Sequence, residues 1–109
     1  MTKEEIRKYK QAIKPGMMRY MEKKDPGKSE STYSTYVSDS NYLLNNDLDA
    51  YLDFMKADKP MPQAQDRIRE LLIEHRGAEK VTDGGAYYYE KLCWHKEYID
   101  STGGMKAWM

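Results

Sequence analysis

Hydrophobic positions recur at helical spacing along most of the chain, most clearly from Thr82 to Ser101. On a 3.6-residue period, one narrow arc of this segment holds Tyr88, Leu92, His95 and Ile99. A flanking arc holds Tyr87, Trp94 and Tyr98, and the far side holds Glu90, Cys93, Glu97 and Asp100. The pattern predicts an amphipathic helix with an aromatic flank. We expect Thr82 or Asp83 to cap its first turn and Gly103-Gly104 to end it.

A second helical pattern begins near the first residue. Thr2 and Glu5 have the spacing of a capping box, in which each residue satisfies a backbone N–H at the start of a helix. The apolar positions that follow are Ile6, Tyr9, Ile13, Met17 and Tyr20. Proline removes a backbone donor and clashes with the preceding turn, so we expect a kink at Pro15-Gly16 or two short helices.

Three more helices are predicted in the middle of the chain. The first is capped by Ser31 and runs from Thr32 to about Asn45, and its inward stripe is Tyr33, Tyr36, Val37, Ser40 and Leu44. A short acidic helix covers Leu48 to Met55. The third begins after Pro60-Met61-Pro62, ends at Gly77 and has a buried stripe of Ala64, Ile68, Leu71, Leu72 and His75. We therefore predict an all-α fold, a compact bundle of about five helices.

The chain is long enough for one small domain, within which three regions are expected. Residues 1–28 form a basic N-terminal helical arm, residues 29–103 form the helical bundle, and residues 104–109 form a C-terminal tail. The polar stretch from Lys23 to Ser31 contains Pro-Gly and links the first two regions.

Charge is unevenly distributed although the formal net charge is zero. Residues 1–28 carry nine basic and four acidic side chains, and the remainder carries nine basic and fourteen acidic ones. A basic segment on an acidic body is typical of contact with nucleic acid or with an acidic protein face. The nucleic-acid-binding residues predicted on this basis are Lys3, Arg7, Lys8, Lys10 and Lys14.

The aromatic flank has two interpretations. Its rings either pack against neighbouring helices with their polar atoms at the edge of the core, or anchor a protein partner, as Tyr and Trp commonly do at interfaces. The partner-binding residues predicted under the second interpretation are Tyr87, Trp94, Tyr98, Asp49 and Asp53. An exposed aromatic strip and zero net charge also favour a homodimer.

No catalytic set, metal site or cofactor site is predicted. Cys93 is the only cysteine, and it does not face His95 because residues one or two positions apart on a helix point in different directions. Two histidines without a third ligand at fixed spacing are more typical of core or boundary positions than of a metal site. The aspartates near residue 50 lack the alternating spacing and central glycine of a calcium loop. We expect a protein that is not an enzyme.

The composition of the chain indicates the cellular compartment in which the protein is expected. No apolar run reaches the length of a membrane span, and the charged first residues differ from a secretory signal. A single cysteine is typical of a reducing environment. We expect a cytoplasmic protein without a membrane partner.

Three segments together resemble the core-binding domain of phage integrases, the tyrosine recombinases. They are STYSTYVSDSNYLL at 31–44, IRELLIEHRG at 68–77, and the final helix with Tyr89, Leu92, Tyr98 and Ile99. The resemblance implies a SAM-like helical fold that clamps one face of DNA. It does not include the arginine–histidine–tyrosine set of that family's separate catalytic domain, so it implies binding and not strand exchange.

These observations predict a non-enzymatic helical module that binds DNA or associates with a nucleoprotein in a phage or mobile element. The alternative is a small phage inhibitor or accessory protein. Such a protein would bind a host protein, for example a nucleic-acid-handling defence complex, through its tyrosine-rich and acidic surfaces.

Overall fold

The computed structural model describes residues 1–109, and all of its regular elements are helices. The α-helices are α1 (Lys3–Lys24), α2 (Glu30–Ser40), α3 (Tyr42–Asn46), α4 (Leu48–Lys56), α5 (Gln63–Arg76) and α6 (Ala86–Ser101). Short 3₁₀ turns lie at Ala78–Lys80 and Met105–Ala107. The predicted all-α bundle is confirmed.

One hydrophobic core joins all six helices. Helices α1, α2 and α6 pack against one another, and α3, α4 and α5 complete the bundle beside them. The core side chains with no exposed surface include Ile13, Met17, Tyr33, Phe54 and Ile99. Because the core draws on both ends of the chain, the first and last helices are held in one body.

Helix α1 begins as the sequence predicts. The Thr2 amide donates to Glu5 Oε1 at 2.8 Å, and the Glu5 amide donates to Thr2 Oγ1 at 3.1 Å, which completes the capping box. The helix is single and continues through Pro15, which is exposed. Its side chains at Tyr9, Ile13, Met17 and Met21 are buried in the common core, so α1 is built into the bundle.

The predicted helix from Thr32 to Asn45 is two helices. Ser29, rather than Ser31, caps α2 by accepting from the Thr32 amide at 3.2 Å. At Asn41 the backbone leaves the helical conformation, with φ −89° and ψ 2°, and α3 starts at the next residue. This turn changes the direction of the chain and places Asn41 next to α1.

Helix α6 is shorter at its N-terminus than predicted, but Asp83 still caps it. The Asp83 carboxylate accepts from the Gly85 amide at 2.9 Å and from the Tyr87 amide at 3.1 Å. Gly85 is left-handed, with φ 84°, and a Cβ there would lie 3.3 Å from the backbone nitrogen of Arg69. Only glycine therefore fits where α6 begins against α5.

The C-terminal segment folds back on α6. The Gly104 amide donates to the Ile99 carbonyl at 2.9 Å, as expected of a glycine that ends a helix. Trp108 then donates from Nε1 to Thr102 Oγ1 at 2.8 Å, and its ring centroid lies 6.0 Å from that of Tyr98. The predicted tail is thus docked through Trp108.

Candidate nucleic-acid interface

The basic residues predicted on α1 occupy two sides of the helix. Positions 3, 7, 10 and 14 fall on one stripe, because they are separated by three or four residues, whereas Lys8 points away from it. The stripe runs from Lys3 to Lys14, which is about 16 Å at the rise of an α-helix. Lys8 instead lines a groove with Tyr9, Ala12 and Trp108.

Three of the stripe residues line a groove between α1 and the α2–α3 junction. The groove is open to solvent and has a volume of about 270 Å³, and its lining comprises Arg7, Lys10, Gln11, Lys14, Val37, Ser38, Asn41 and Asn45. Three of these side chains are cationic, none is acidic, and four others carry hydroxyl or carboxamide groups. We call this the α1 groove. It offers positive charge with neutral hydrogen-bonding groups, the combination that phosphate-bearing ligands require.

The cations of the α1 groove differ in their contacts. Lys10 Nζ donates to Asn45 Oδ1 at 2.9 Å, which bridges the groove. Arg7 pairs with Glu4 one turn earlier on the exposed face of α1, and this hydrogen bond raises the pKa of the Arg7 guanidinium. Lys14 forms no ion pair. An exposed ion pair such as Arg7–Glu4 contributes little to stability. Arg7 can therefore exchange Glu4 for an anionic ligand at a small cost in free energy.

Asn41 is the uncharged residue of the α1 groove that folding does not explain. It is 7% exposed, its side-chain oxygen Oδ1 is buried, and that oxygen has no hydrogen-bond partner. A buried polar atom without a partner costs about 1–3 kcal/mol. Asn41 occupies the N-cap position of α3, yet its side chain caps no backbone amide. Its side-chain oxygen is therefore enclosed by the protein without a hydrogen bond.

The sequence did not identify Asn41, Ser38 or Asn45 as site residues. A count of charges identifies the cations but not the neutral side chains on the other side of the groove. The position of these side chains depends on how α2 and α3 pack against α1. To predict these residues, the sequence analysis would have had to recognise that the helix breaks between α2 and α3. Ser-Asn at 40–41 is compatible with such a break, since both residues favour caps and turns over helix interiors.

The aromatic residues predicted to bind a partner are half-buried and packed within the protein. The Tyr87 hydroxyl donates to Asp39 Oδ2 at 2.7 Å, and burial together with that carboxylate raises the pKa of Tyr87. Trp94 lies edge-on to Tyr36, and Tyr98 packs between Tyr20 and Trp108. The structure therefore uses these rings in intramolecular contacts, as the first interpretation of the flank described.

A lysine fills the space between three of these rings. Lys91 Nζ lies 4.1 Å from the ring centroid of Trp94, 4.4 Å from that of Tyr36 and 4.7 Å from that of Tyr87. It also donates to Glu90 at 2.8 Å. The side chain is 4% exposed, so cation–π attraction and one carboxylate replace the water that the ammonium loses. The arrangement fixes α2 to α6.

The acidic residues predicted to bind a partner are separate from this cluster. Asp49 and Asp53 are exposed on α4, one helical turn apart, and neither forms an ion pair. Helix α4 does not line the α1 groove. The predicted acidic residues lie on α4, whereas the predicted aromatic residues lie on α6.

The two histidines lie in different environments. His75, predicted on the buried stripe of α5, is exposed in the last turn of that helix, where its Nδ1 lies 2.7 Å from the hydroxyl of Tyr42. This prediction was wrong because α5 extends past the core at its C-terminal end. His95 is completely buried and lies 2.7 Å from the Tyr51 hydroxyl and 3.0 Å from Ser40 Oγ.

The hydroxyls around His95 form a directed chain of hydrogen bonds. Ser40 donates to the Val37 carbonyl at 2.7 Å, so His95 Nδ1 must donate to Ser40. His95 Nε2 then accepts from Tyr51, whose oxygen lies 2.7 Å from the Tyr9 hydroxyl. Every member is buried. A substrate has no access to this serine–histidine pair, and its arrangement is that of a core network.

A second groove lies at the C-terminal end of α6. It encloses about 590 Å³ and is lined by Met55, Lys56, Asp100, Gly103, Gly104, Met105, Lys106 and Met109. The lining includes one carboxylate, that of Asp100, and two ammonium groups, those of Lys56 and Lys106. No group of three or more His, Cys, Asp or Glu side chains is arranged to hold a metal ion.

None of the helices combines the length and the apolar character needed to span a bilayer. Comparisons with protein-family models, curated proteins and solved structures found no match to this chain.

Proposed function

We propose that the protein is a non-enzymatic nucleic-acid-binding module and that the α1 groove receives the sugar–phosphate backbone. The observation that carries this proposal is the composition of the groove, in which three cations and four neutral polar side chains occur without a carboxylate. Most protein–nucleic acid hydrogen bonds go to phosphate and sugar, and such groups supply them.

The geometry of α1 supports the same conclusion. The stripe from Lys3 to Lys14 is about 16 Å long, and one nucleic-acid strand advances about 3.4 Å per phosphate along a duplex axis. The stripe is therefore long enough to contact more than one phosphate of a strand. The first helix is anchored by four core residues, so its cations are presented on a rigid support. A DNA-facing role is also what the resemblance to integrase core-binding domains implies.

The alternative, a protein partner bound through tyrosine-rich and acidic surfaces, has narrower support. Tyr87, Trp94 and Tyr98 make intramolecular contacts. The exposed pair Asp49 and Asp53 is the observation that favours this alternative.

Fluorescence anisotropy with labelled 20-nucleotide DNA, single-stranded and duplex, tests the proposal. The informative variant combines Arg7→Gln, Lys10→Gln and Lys14→Gln. Removing one phosphate-neutralising cation lowers the slope of log affinity against log salt by about 0.7 for single strands and about 0.9 for duplex. We expect weaker binding and a slope smaller by about two units for single strands and by nearly three, about 2.7, for duplex.

The matched control combines Lys56→Gln, Lys59→Gln and Lys106→Gln, which removes the same charge from exposed positions outside the α1 groove. It should retain nearly the wild-type slope. Equal losses in the two triple variants would mean that binding follows net charge and not the groove. Absence of binding to either DNA would refute the proposed function and favour the acidic-surface alternative.

A further inference from the structure

The furrow between α1 and α2 continues beyond the α1 groove, towards the C-terminal end of α1. A second groove, open to solvent and about 500 Å³ in volume, is lined by Lys14, Pro15, Met18, Arg19 and Glu30. We call it the Arg19 groove. Lys14 lines both grooves, so they adjoin along α1. A strand that lies in the α1 groove and follows α1 past Lys14 would therefore enter the Arg19 groove.

The two grooves differ in charge. The α1 groove has three cationic side chains and no carboxylate. In the second groove, Arg19 Nη2 donates to both carboxylate oxygens of Glu30 at 2.7 Å, which connects α1 with α2 across the furrow. Arg19 Nη1 also donates to Glu22 on α1 at 2.8 Å. The single positive charge of Arg19 is thus matched against two carboxylates.

We propose that Glu30 ends the nucleic-acid site, because its carboxylate occupies the guanidinium of Arg19 in place of a phosphate and so limits the strand to the α1 groove. This inference rests on the proposed function and concerns the extent of the same site. A guanidinium donates to carboxylates and to phosphates through the same N–H groups, so Glu30 and a phosphate compete for Arg19. A phosphate brought to Arg19 would also approach Glu30, and the two negative charges would repel each other.

Arg7 and Arg19 each pair with a glutamate, but the two glutamates are placed differently. Glu4 does not line the α1 groove, so a phosphate in that groove can replace it on Arg7. Glu30 lines the Arg19 groove itself and comes from the opposite helix. The side chains of Arg19 and Glu30 are 49% and 69% exposed, so a strand can reach both. Because exposed ion pairs contribute little to stability, substitutions at this pair should leave the protein folded.

Anisotropy with the labelled single-stranded DNA tests this inference through the salt dependence of binding. Glu30→Gln removes the competing carboxylate and keeps a neutral side chain of similar size. Its affinity should rise, and the slope of log affinity against log salt should become steeper by about 0.7, the value for one further phosphate contact. Arg19→Gln alone should leave the slope unchanged, because Arg19 does not contact the strand while Glu30 holds it.

Two controls separate this effect from a general effect of charge. Glu22→Gln removes an equal charge from the same guanidinium, but at a residue that does not line the Arg19 groove, so its slope should stay near the wild-type value. The double variant, Arg19→Gln with Glu30→Gln, should lose the gain seen for Glu30→Gln alone, because the guanidinium is absent. A general decrease in repulsion would persist in the double variant.

The outcomes distinguish this inference from the proposed function. If the wild type binds and Glu30→Gln leaves the slope unchanged, or if Glu22→Gln or the double variant shows the same gain, Glu30 does not end the site and the proposed function stands. A shallower slope for Arg19→Gln alone would also overturn the inference, because Arg19 would then already contact the strand. If neither the wild type nor Glu30→Gln binds single-stranded or duplex DNA, the proposed function itself fails.

Discussion

At the residue scale, the protonation of the buried His95 makes the stability of the fold depend on pH. Complete burial lowers its pKa from 6.5 to about 3, and Tyr51 donates to its Nε2, which leaves no acceptor for a second proton. Below pH 6.5 the unfolded chain binds a proton that the folded protein does not. The stabilisation from neutral His95 is therefore complete above pH 6.5 and is lost as the pH falls towards 3.

We accordingly expect the free energy of unfolding to fall by about 2 kcal/mol between pH 8 and pH 5, a range in which most carboxylates stay ionised. Urea unfolding at several pH values measures this change. His95→Gln should lose most of the pH dependence in that range, whereas His75→Gln, at an exposed histidine, should retain it. A flat profile for the wild type would show that His95 titrates normally.

Lys91 and Lys96 show why some residues escape prediction from sequence. Both are buried on α6 although lysine is usually exposed. Lys91 is enclosed by rings from α2 and α6, and Lys96 Nζ donates to the Met55 carbonyl at 3.0 Å. Long side chains bury their stems wherever the tertiary partners suit the charged end. Helical periodicity contains no information about those partners.

At the scale of elements, most helices were predictable because they have an apolar stripe, and the starts of some were predictable from local caps. The capping box at Thr2 and the cap at Asp83 are encoded within a few residues. The division between α2 and α3 was not predictable, because the stripe from Tyr33 to Leu44 fits one helix as well as two. Packing against α1 decides between them, and the α1 groove depends on that choice.

Helix α1 retains a proline in its interior, which gives a direct test of its continuity. Pro15 lacks the amide that would donate to the Gln11 carbonyl, and proline is about 3 kcal/mol less favourable than alanine within a helix. Pro15→Ala should therefore raise the free energy of unfolding by about 1–3 kcal/mol in urea denaturation. Gln11→Ala, at an exposed position of the same helix, is the control and should change it little.

A decrease in stability of Pro15→Ala would instead indicate that the core packing of Met17 and Met21 requires a bend at Pro15.

The contact between α1 and α6 depends on Gly16. A Cβ at this position would lie 1.8 Å from the Tyr98 hydroxyl oxygen and 2.7 Å from Cζ. Alanine would therefore displace the Tyr98 ring from its contacts with Tyr20 and Trp108. That loss opposes the gain of about 0.5–1 kcal/mol expected when glycine is replaced within a helix.

A double-mutant cycle separates the two effects. Gly16→Ala in the Tyr98→Ala background should stabilise the protein by about 0.5–1 kcal/mol, and in the wild-type background it should stabilise less or destabilise. Additive effects of the two substitutions would mean that the close approach does not constrain position 16.

At the scale of the whole molecule, charge asymmetry and fold together define the candidate site. The excess of basic residues in the first 28 positions is visible in the sequence, and it identified three residues of the α1 groove. Three of the four neutral polar side chains of the groove come from residues 38–45. This segment is brought to α1 by the packing of α2 between α1 and α6, which no local pattern encodes.

The most direct test of the central claim is an NMR titration of the ¹⁵N-labelled protein with a single-stranded DNA 12-mer. We expect salt-dependent shifts of backbone amides at 7–14 and of both backbone amides and side-chain carboxamides at 38–45, with little change on α4. Shifts confined to α4 and the exposed end of α5, or no shifts at low salt, would contradict it.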